Sequence, residues 1–190
     1  DDDQARRFLD IVARQSERLH AIIDDLLLLS RVEQEQDLQK EPVPGHAVLN
    51  EALAVCRPAA ENRGITLTVD CPDDLVIPCN APLLEQAIVN LVDNAIKYSE
   101  PGGEVQVSAG RTDSEVVLHV QDQGPGIKPE DLDRLFERFY RVDKARSRKV
   151  GGTGLGLSIV KHITQVHGGQ VSAESKPGKG SIFTITLPLD

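Results

Sequence analysis

The chain has 190 residues, 39% of them hydrophobic but only 3% aromatic, with neither Trp nor Met and a formal net charge of −9. That length suits one globular domain of roughly 150 residues plus an appendage. The acidic balance excludes the basic stripe of a nucleic-acid-binding surface, and no apolar run approaches the roughly 20 residues that a membrane span needs.

From Asp3 to about Gln36 there is neither Gly nor Pro, and Phe8, Val12, Leu19, Ile22, Leu26 and Leu29 follow alternating three- and four-residue steps with Gln15 as the one polar interruption, and Leu9, Ile23 and Leu27 beside them. The spacing predicts one long helix whose apolar stripe is too wide for a two-stranded zipper and calls for a helical bundle. The stretch "EPVPG" (41–45) ends it and reads as a linker. Beyond it the pattern predicts a helix over 47–62, a strand over 65–70 and a long helix over 81–99. Strands follow at "GGEVQVSAG" and "SEVVLHVQD", with a turn at Arg111–Asp113 between them, then a short helix over 130–138. A polar, basic loop spans 139–152, a helix runs from Gly154 to about His167, and "QVSAES" and "GSIFTITLPL" close a hairpin around "KPGKG". The expected fold is an α/β two-layer sandwich, a mixed sheet with helices on one face. The three cysteines, Cys56, Cys71 and Cys79, have no metal-ligand spacing and read as structural thiols in a reducing compartment.

Four short stretches carry chemistry. In "NLVDNAIKYS", Asn90, Asn94 and Lys97 stand at i, i+4 and i+7, on one helix face, while Ile88, Leu91, Val92 and Ile96 face elsewhere. Two amides and an ammonium on one stripe suit phosphate oxygens and a hydrated Mg²⁺, although the same pattern also occurs on a plain solvated face. "VQDQGPGI" ends a strand on an acid, Asp122, followed by Gly124, Gly126 and Ile127, which alone would be a turn. "LFERFYRVDKARSRK" sets Tyr140 before a basic run that starts at Arg141, an excess that implies an anionic visitor to so acidic a chain. In "GGTGLGLSIVKHI" (151–163) a glycine-rich loop feeds a helix N-terminus, where free N–H groups and the helix dipole attract phosphate.

In this order the four stretches resemble the N, G1, F and G2 boxes of sensor histidine kinases, in the ATPase superfamily that also holds gyrase B, Hsp90 and MutL. The resemblance implies an ATP site with Mg²⁺ on Asn94, phosphate contacts from Lys97 and Tyr98 packed on the nucleotide. Asp122 would bond the adenine amino group, with Gly124 and Gly126 giving the base room. Tyr140 and Arg141 would begin a lid, Arg141 reaching the γ-phosphate, and residues 142–151 are expected to order only with nucleotide. Gly152, Thr153, Gly154, Leu155, Gly156 and Leu157 would surround phosphates and base. The hydrolysing relatives carry a Glu where this chain has Asn90, and an amide cannot take a proton from water. The resemblance therefore implies a kinase that presents the γ-phosphate to another nucleophile, with Asn90 and Arg141 as its catalytic residues.

The family's acceptor is a His followed by an acid and, soon after, a Pro. None of His20, His46, His119, His162 and His167 fits that motif. Residues 1–40 are accordingly expected to be the second helix of a dimerisation hairpin whose first helix is absent, and 41–190 the catalytic ATP-binding domain. The implied partners are the acceptor helix of the full-length kinase, a response regulator and a second copy joined through residues 5–30. The implied location is cytoplasmic, as part of a membrane-anchored kinase. A nucleotide-binding module that only regulates a partner also fits the residues.

Overall fold

A computed structural model describes residues 2–35, 38–142 and 152–189. Helix α1 spans Asp2–Gln34, α2 Gly45–Glu61 and α3 Ala81–Tyr98; α4 is a single turn at Pro129–Leu132, and α5 spans Gly156–Val166. The strands are β1 (Glu41–Pro44), β2 (Thr66–Asp70), β3 (Val76–Cys79), β4 (Glu104–Arg111), β5 (Glu115–Asp122), β6 (Gln170–Ser175) and β7 (Ser181–Pro188).

Five strands form one sheet in the order β2-β4-β5-β7-β6, parallel only between β2 and β4. Register sorts the two faces. Val69, Val107, Val120, Phe183 and Ala173 make one lateral row, whose three central members are buried. The next row, on the opposite face, is polar: Asp70, Ser108, His119, Thr184 and Ser172. There His119 Nδ1 lies 2.9 Å from the Thr184 hydroxyl. The apolar face is covered by α2, α3 and α5, which gives the expected two-layer sandwich.

Helix α3 holds the layers together. The Asn80 side chain accepts from the Leu83 N–H at 3.3 Å and Pro82 sits in the first turn, both favourable at a helix start. Leu84, Ala87, Ile88, Leu91, Val92, Ala95 and Ile96 are all buried. His167, at the end of α5, ties the two helices: its Nε2 accepts from the Asn80 N–H at 3.0 Å, while Nδ1 lies 2.7 Å from the Ile163 carbonyl. A neutral imidazole with its proton on Nδ1 meets both contacts, and burial pushes its pKa down in the same direction.

Three elements differ from the sequence expectation. The stretch read as a linker is β1, which pairs antiparallel with β3 and sets Pro42 opposite Pro78. A two-stranded ribbon has only edges, so missing proline N–H groups cost it little. His46 accordingly lies in the first turn of α2, not in a linker. The helix expected over 130–138 is α4 alone. It loosens into turns in which the Arg134, Leu135 and Glu137 N–H groups each bond a carbonyl three residues back. It stops at Phe139, whose φ is +63°. The α1 stripe is split: Leu29 and Val32 are 1% exposed and join the main core, whereas Phe8, Leu9, Leu19 and Ile23 stay open. The three cysteines are free, and burial pushes the Cys56 and Cys79 thiols up to about 11, as befits unreactive core groups.

Ile163 is fully buried on α5. Truncating such a side chain leaves a cavity, so Ile163→Ala should lower the unfolding free energy by about 2–5 kcal/mol with the helical circular dichroism retained. Urea denaturation monitored by circular dichroism reads this directly.

Candidate functional site

One cavity of about 920 Å³ opens between α3, the end of β5, the turns after α4 and the loop before α5. Its lining includes Asn90, Asn94, Lys97, Tyr98, Asp122, Gly126, Ile127, Tyr140, Arg141, Gly152, Thr153, Gly154, Gly156 and Leu157, so most of the residues singled out from the sequence meet there. Two of them do not line it: Leu155 is fully buried in the core, and Gly124 lies beneath the Asp122 carboxylate.

At one end stands Asp122, 5% exposed, at the last position of β5. Its Oδ1 accepts from the Gly124 N–H at 2.7 Å. Burial pushes its carboxyl up from the ordinary carboxylate range, opposed by that bond and by the N–H and hydroxyl of Ser181. The glycines after it are demanded by the protein itself. A Cβ on Gly124 would sit 2.8 Å from Asp122 Oδ1, and one on Gly126, at φ +69°, would sit 2.1 Å from the Lys176 carbonyl oxygen. Strand β5 thus turns away sharply, leaving a carboxylate at the cavity wall.

At the other end, Asn90, Asn94 and Lys97 project from α3 on one face, with Lys97 paired to Asp93. Asn90 Oδ1 lies 3.5 Å from Gln86 Nε2, while its Nδ2 is buried with no hydrogen-bond partner among the described residues. A buried donor left unmade is costly, and here it faces a cavity. The amide has no basic lone pair for water. Gly156 opens α5 directly against Asn90, where a Cβ would come within 3.8 Å of its amide carbon. The first turn of α5 leaves N–H groups that no helical carbonyl can satisfy. This end suits an anion, and amide oxygens beside phosphate suit a Mg²⁺ that keeps most of its waters.

Between the ends, Tyr140 is held by its hydroxyl, which donates to Asp131, and by the Arg134 guanidinium 4.3 Å over its ring. The Phe139 N–H donates to the Gly154 carbonyl at 2.8 Å, and Gly154 itself has φ +81°. Arg141 reaches across Gly152, with Nη2 3.8 Å from where a Cβ would lie. Of the expected lid, residues 143–151 lie outside the described residues.

Sequence reading missed the wall that α1 supplies. Ala21 and Asp25 line the cavity, and Thr153 Oγ1 donates to Asp25 Oδ2 at 2.7 Å. Nothing in the helical periodicity marks Asp25; the contact joins residues 128 apart in the chain.

A polar-ended cleft walled by helix N-terminus, glycine loop and strand-end carboxylate defines a nucleotide-type pocket. The family model for histidine kinase-, DNA gyrase B- and HSP90-like ATPases matches residues 79–190, which hold all of these features except the α1 wall. The chain belongs to that family, in its histidine kinase branch. It is 42% identical over 99% of its length to the sensor-like histidine kinase SenX3 of Mycolicibacterium smegmatis, spanning 49% of that protein. The chain therefore covers about half of this relative. Among solved structures, it shares 33% identity with the mycobacterial sensor histidine kinase MprB, with a TM-score of 0.67 over 78% of this chain and 97% of that one. Full-length ShkA in complex with AMPPNP matches 96% of this chain and 38% of that one, at 27% identity and a TM-score of 0.81.

The burial of Asp122 predicts a pH signature. Because its folded pKa is raised, the folded state keeps the proton to higher pH than the unfolded chain does. The associated stability is present below the ordinary carboxylate value and is lost as pH rises through the folded value. The stability of Asp122→Asn relative to wild type should therefore increase as pH rises above the ordinary carboxylate value of about 4. Denaturant titrations of both proteins at each pH read the difference.

Proposed function

We propose that ATP binds in this cavity with Mg²⁺, adenine toward Asp122 and phosphates toward α3 and the glycine loop. We propose further that the γ-phosphate is presented to a histidine on another helix, for relay to an Asp of a response regulator. The observation that carries the reading is that one cavity joins a buried strand-end carboxylate to a helix N-terminus and an Asn-Asn-Lys stripe. The AMPPNP complex of ShkA, a structural relative, supports it.

The Asp122 carboxylate would accept from the adenine amino group. Asn94 would give its amide oxygen to Mg²⁺, which would supply charge neutralisation between phosphates. Asn90, with its unpartnered Nδ2, would donate near the same end, and Lys97 would exchange Asp93 for phosphate oxygen. Tyr98 and Tyr140 would flank the nucleotide, and Arg141 would lie over the phosphates as negative charge shifts during transfer. Phosphoryl transfer depends on such positioning and electrostatics more than on a base. Asn90 in place of a carboxylate then favours transfer over hydrolysis.

Residues 1–40 serve in this reading as the second helix of a dimerisation hairpin, with 41–190 as the catalytic domain. The start of β1 at Glu41 supports that boundary. The open apolar positions of α1 from Phe8 to Leu27 support pairing with a second copy. No described helix is long and apolar enough to cross a membrane.

With γ-labelled ATP the protein should bind nucleotide, acquire no acid-labile label and release phosphate slowly. A separate polypeptide carrying the acceptor helix should become labelled, and Asn94→Ala should abolish both Mg²⁺-dependent binding and labelling. Since a positioned base contributes about 10²–10⁴-fold, Asn90→Glu should raise phosphate release. Fast release by the wild type would instead mark a hydrolase.

Sedimentation should show weak, concentration-dependent self-association, reduced by Leu19→Glu on the open face of α1. A strictly monomeric wild type at high concentration would contradict the pairing.

A further inference from the structure

Helix α1 does more than adjoin the catalytic unit. Its last three turns carry Leu29 and Val32 into the core, and the Glu33 carboxylate pairs with Arg138 and lies 2.9 Å from His162 Nε2. One helical turn before Leu29, on the same face, Asp25 enters the cavity wall. Docking of α1 therefore delivers a carboxylate to the end of the site where phosphates would lie.

Its partner there is Thr153, whose hydroxyl has a single proton to give. That proton goes to Asp25 Oδ2 at 2.7 Å, while the Thr153 hydroxyl oxygen itself accepts from the Leu155 N–H at 3.2 Å. With α1 docked, Thr153 has no proton left for a phosphate oxygen. An ionised carboxylate is an acceptor only, so Asp25 cannot itself bond phosphate, and its charge repels one. Lys97, paired to Asp93, is close enough to act on Asp25 through its charge.

We propose that Asp25 of α1 and the phosphates of the nucleotide compete for Thr153, so that α1 docking and nucleotide binding oppose each other. The proposal rests on the reading of the cavity as the ATP site and names its regulation. Linkage makes the effect reciprocal: whatever holds α1 down weakens ATP, and ATP loosens α1 by the same factor. Movement of α1 in the parent protein would then set the ATP affinity of its own catalytic unit.

Calorimetric titration of the whole chain with ATP, ADP and adenosine, each with Mg²⁺, separates the outcomes. In Asp25→Ala, and to a smaller degree in Asp25→Asn, ATP should bind at least about fivefold more tightly, the lower end of typical coupling. Adenosine, which has no phosphate, should bind with unchanged affinity. Hydrogen exchange at 25–33 in the wild type should rise on adding ATP and stay unchanged with adenosine. Equal ATP affinity in wild type and both variants would overturn the competition. Weaker ATP binding in the variants would overturn it too, since Asp25 would then be helping to hold nucleotide or Mg²⁺. Tighter adenosine as well as ATP would mean a general loosening, again against the proposal. Failure of every variant and the wild type to bind ATP would overturn the nucleotide reading itself, and the competition with it.

Discussion

The structure depends on α3 being two helices in one. Its buried side, from Leu84 to Ile96, packs among α2, α5 and the sheet, and each residue there is at most 1% exposed. The remaining arc is the cavity floor with Asn90, Asn94 and Lys97. An interior that is close-packed does not slide, so the apolar side fixes the polar side to within the tolerance of the core. The same helix is gripped at its start by His167 and along its length by Gly156 of α5. Floor and glycine loop are thereby held at a constant separation before any ligand arrives.

The opposite end of the cavity is held by strain and burial. A carboxylate at 5% exposure opposes folding unless its oxygens are bonded, and Gly124 and Ser181 provide those bonds. The glycines are packed so closely that a side chain at Gly126 would strike backbone. Phe139, a bulky residue at φ +63°, is kept in place by its bond to Gly154. Such outliers cost of order 1–3 kcal/mol and persist where their surroundings over-determine them. Phe139 directly precedes the cavity-lining Tyr140, where rigidity toward a ligand offsets that cost.

Local chemistry was legible in the sequence wherever periodicity or turn residues encoded it. Asp122, in a stretch that alone would be a turn, stands out only through the family resemblance, whereas the Asn90, Asn94, Lys97 stripe follows from helical spacing. The long helix and the closing hairpin were legible for the same reason. What could not be read was long-range pairing. The pairing of Pro42 with Pro78 makes a strand of what looks like a linker, because a ribbon edge tolerates proline. Leu29 belonged to the same apolar stripe as Phe8, yet one is buried in the chain's own core and the other open, a division that periodicity does not contain. No motif or spacing in the sequence singles out Asp25; only the fold brings it to Thr153.

That last contact ties the charge of the chain to its architecture. In a protein of net charge −9, a site for a polyanion needs its negative groups turned aside. Asp93 is turned onto Lys97 and Asp131 onto Tyr140, so two of the cavity's acids are held by neighbours within the catalytic unit. Asp122 sits at the end where a neutral base would lie. Asp25 is the exception: it comes from α1, and the contact that holds it is a hydrogen bond from the Thr153 hydroxyl of the glycine loop. The catalytic unit manages its own acids by internal pairing, whereas the acid that α1 brings can be removed only by moving α1. Among the described residues, the acids of α3 and of the turn at α4 are thus held from within the fold, while the charge that α1 adds changes with the position of that helix.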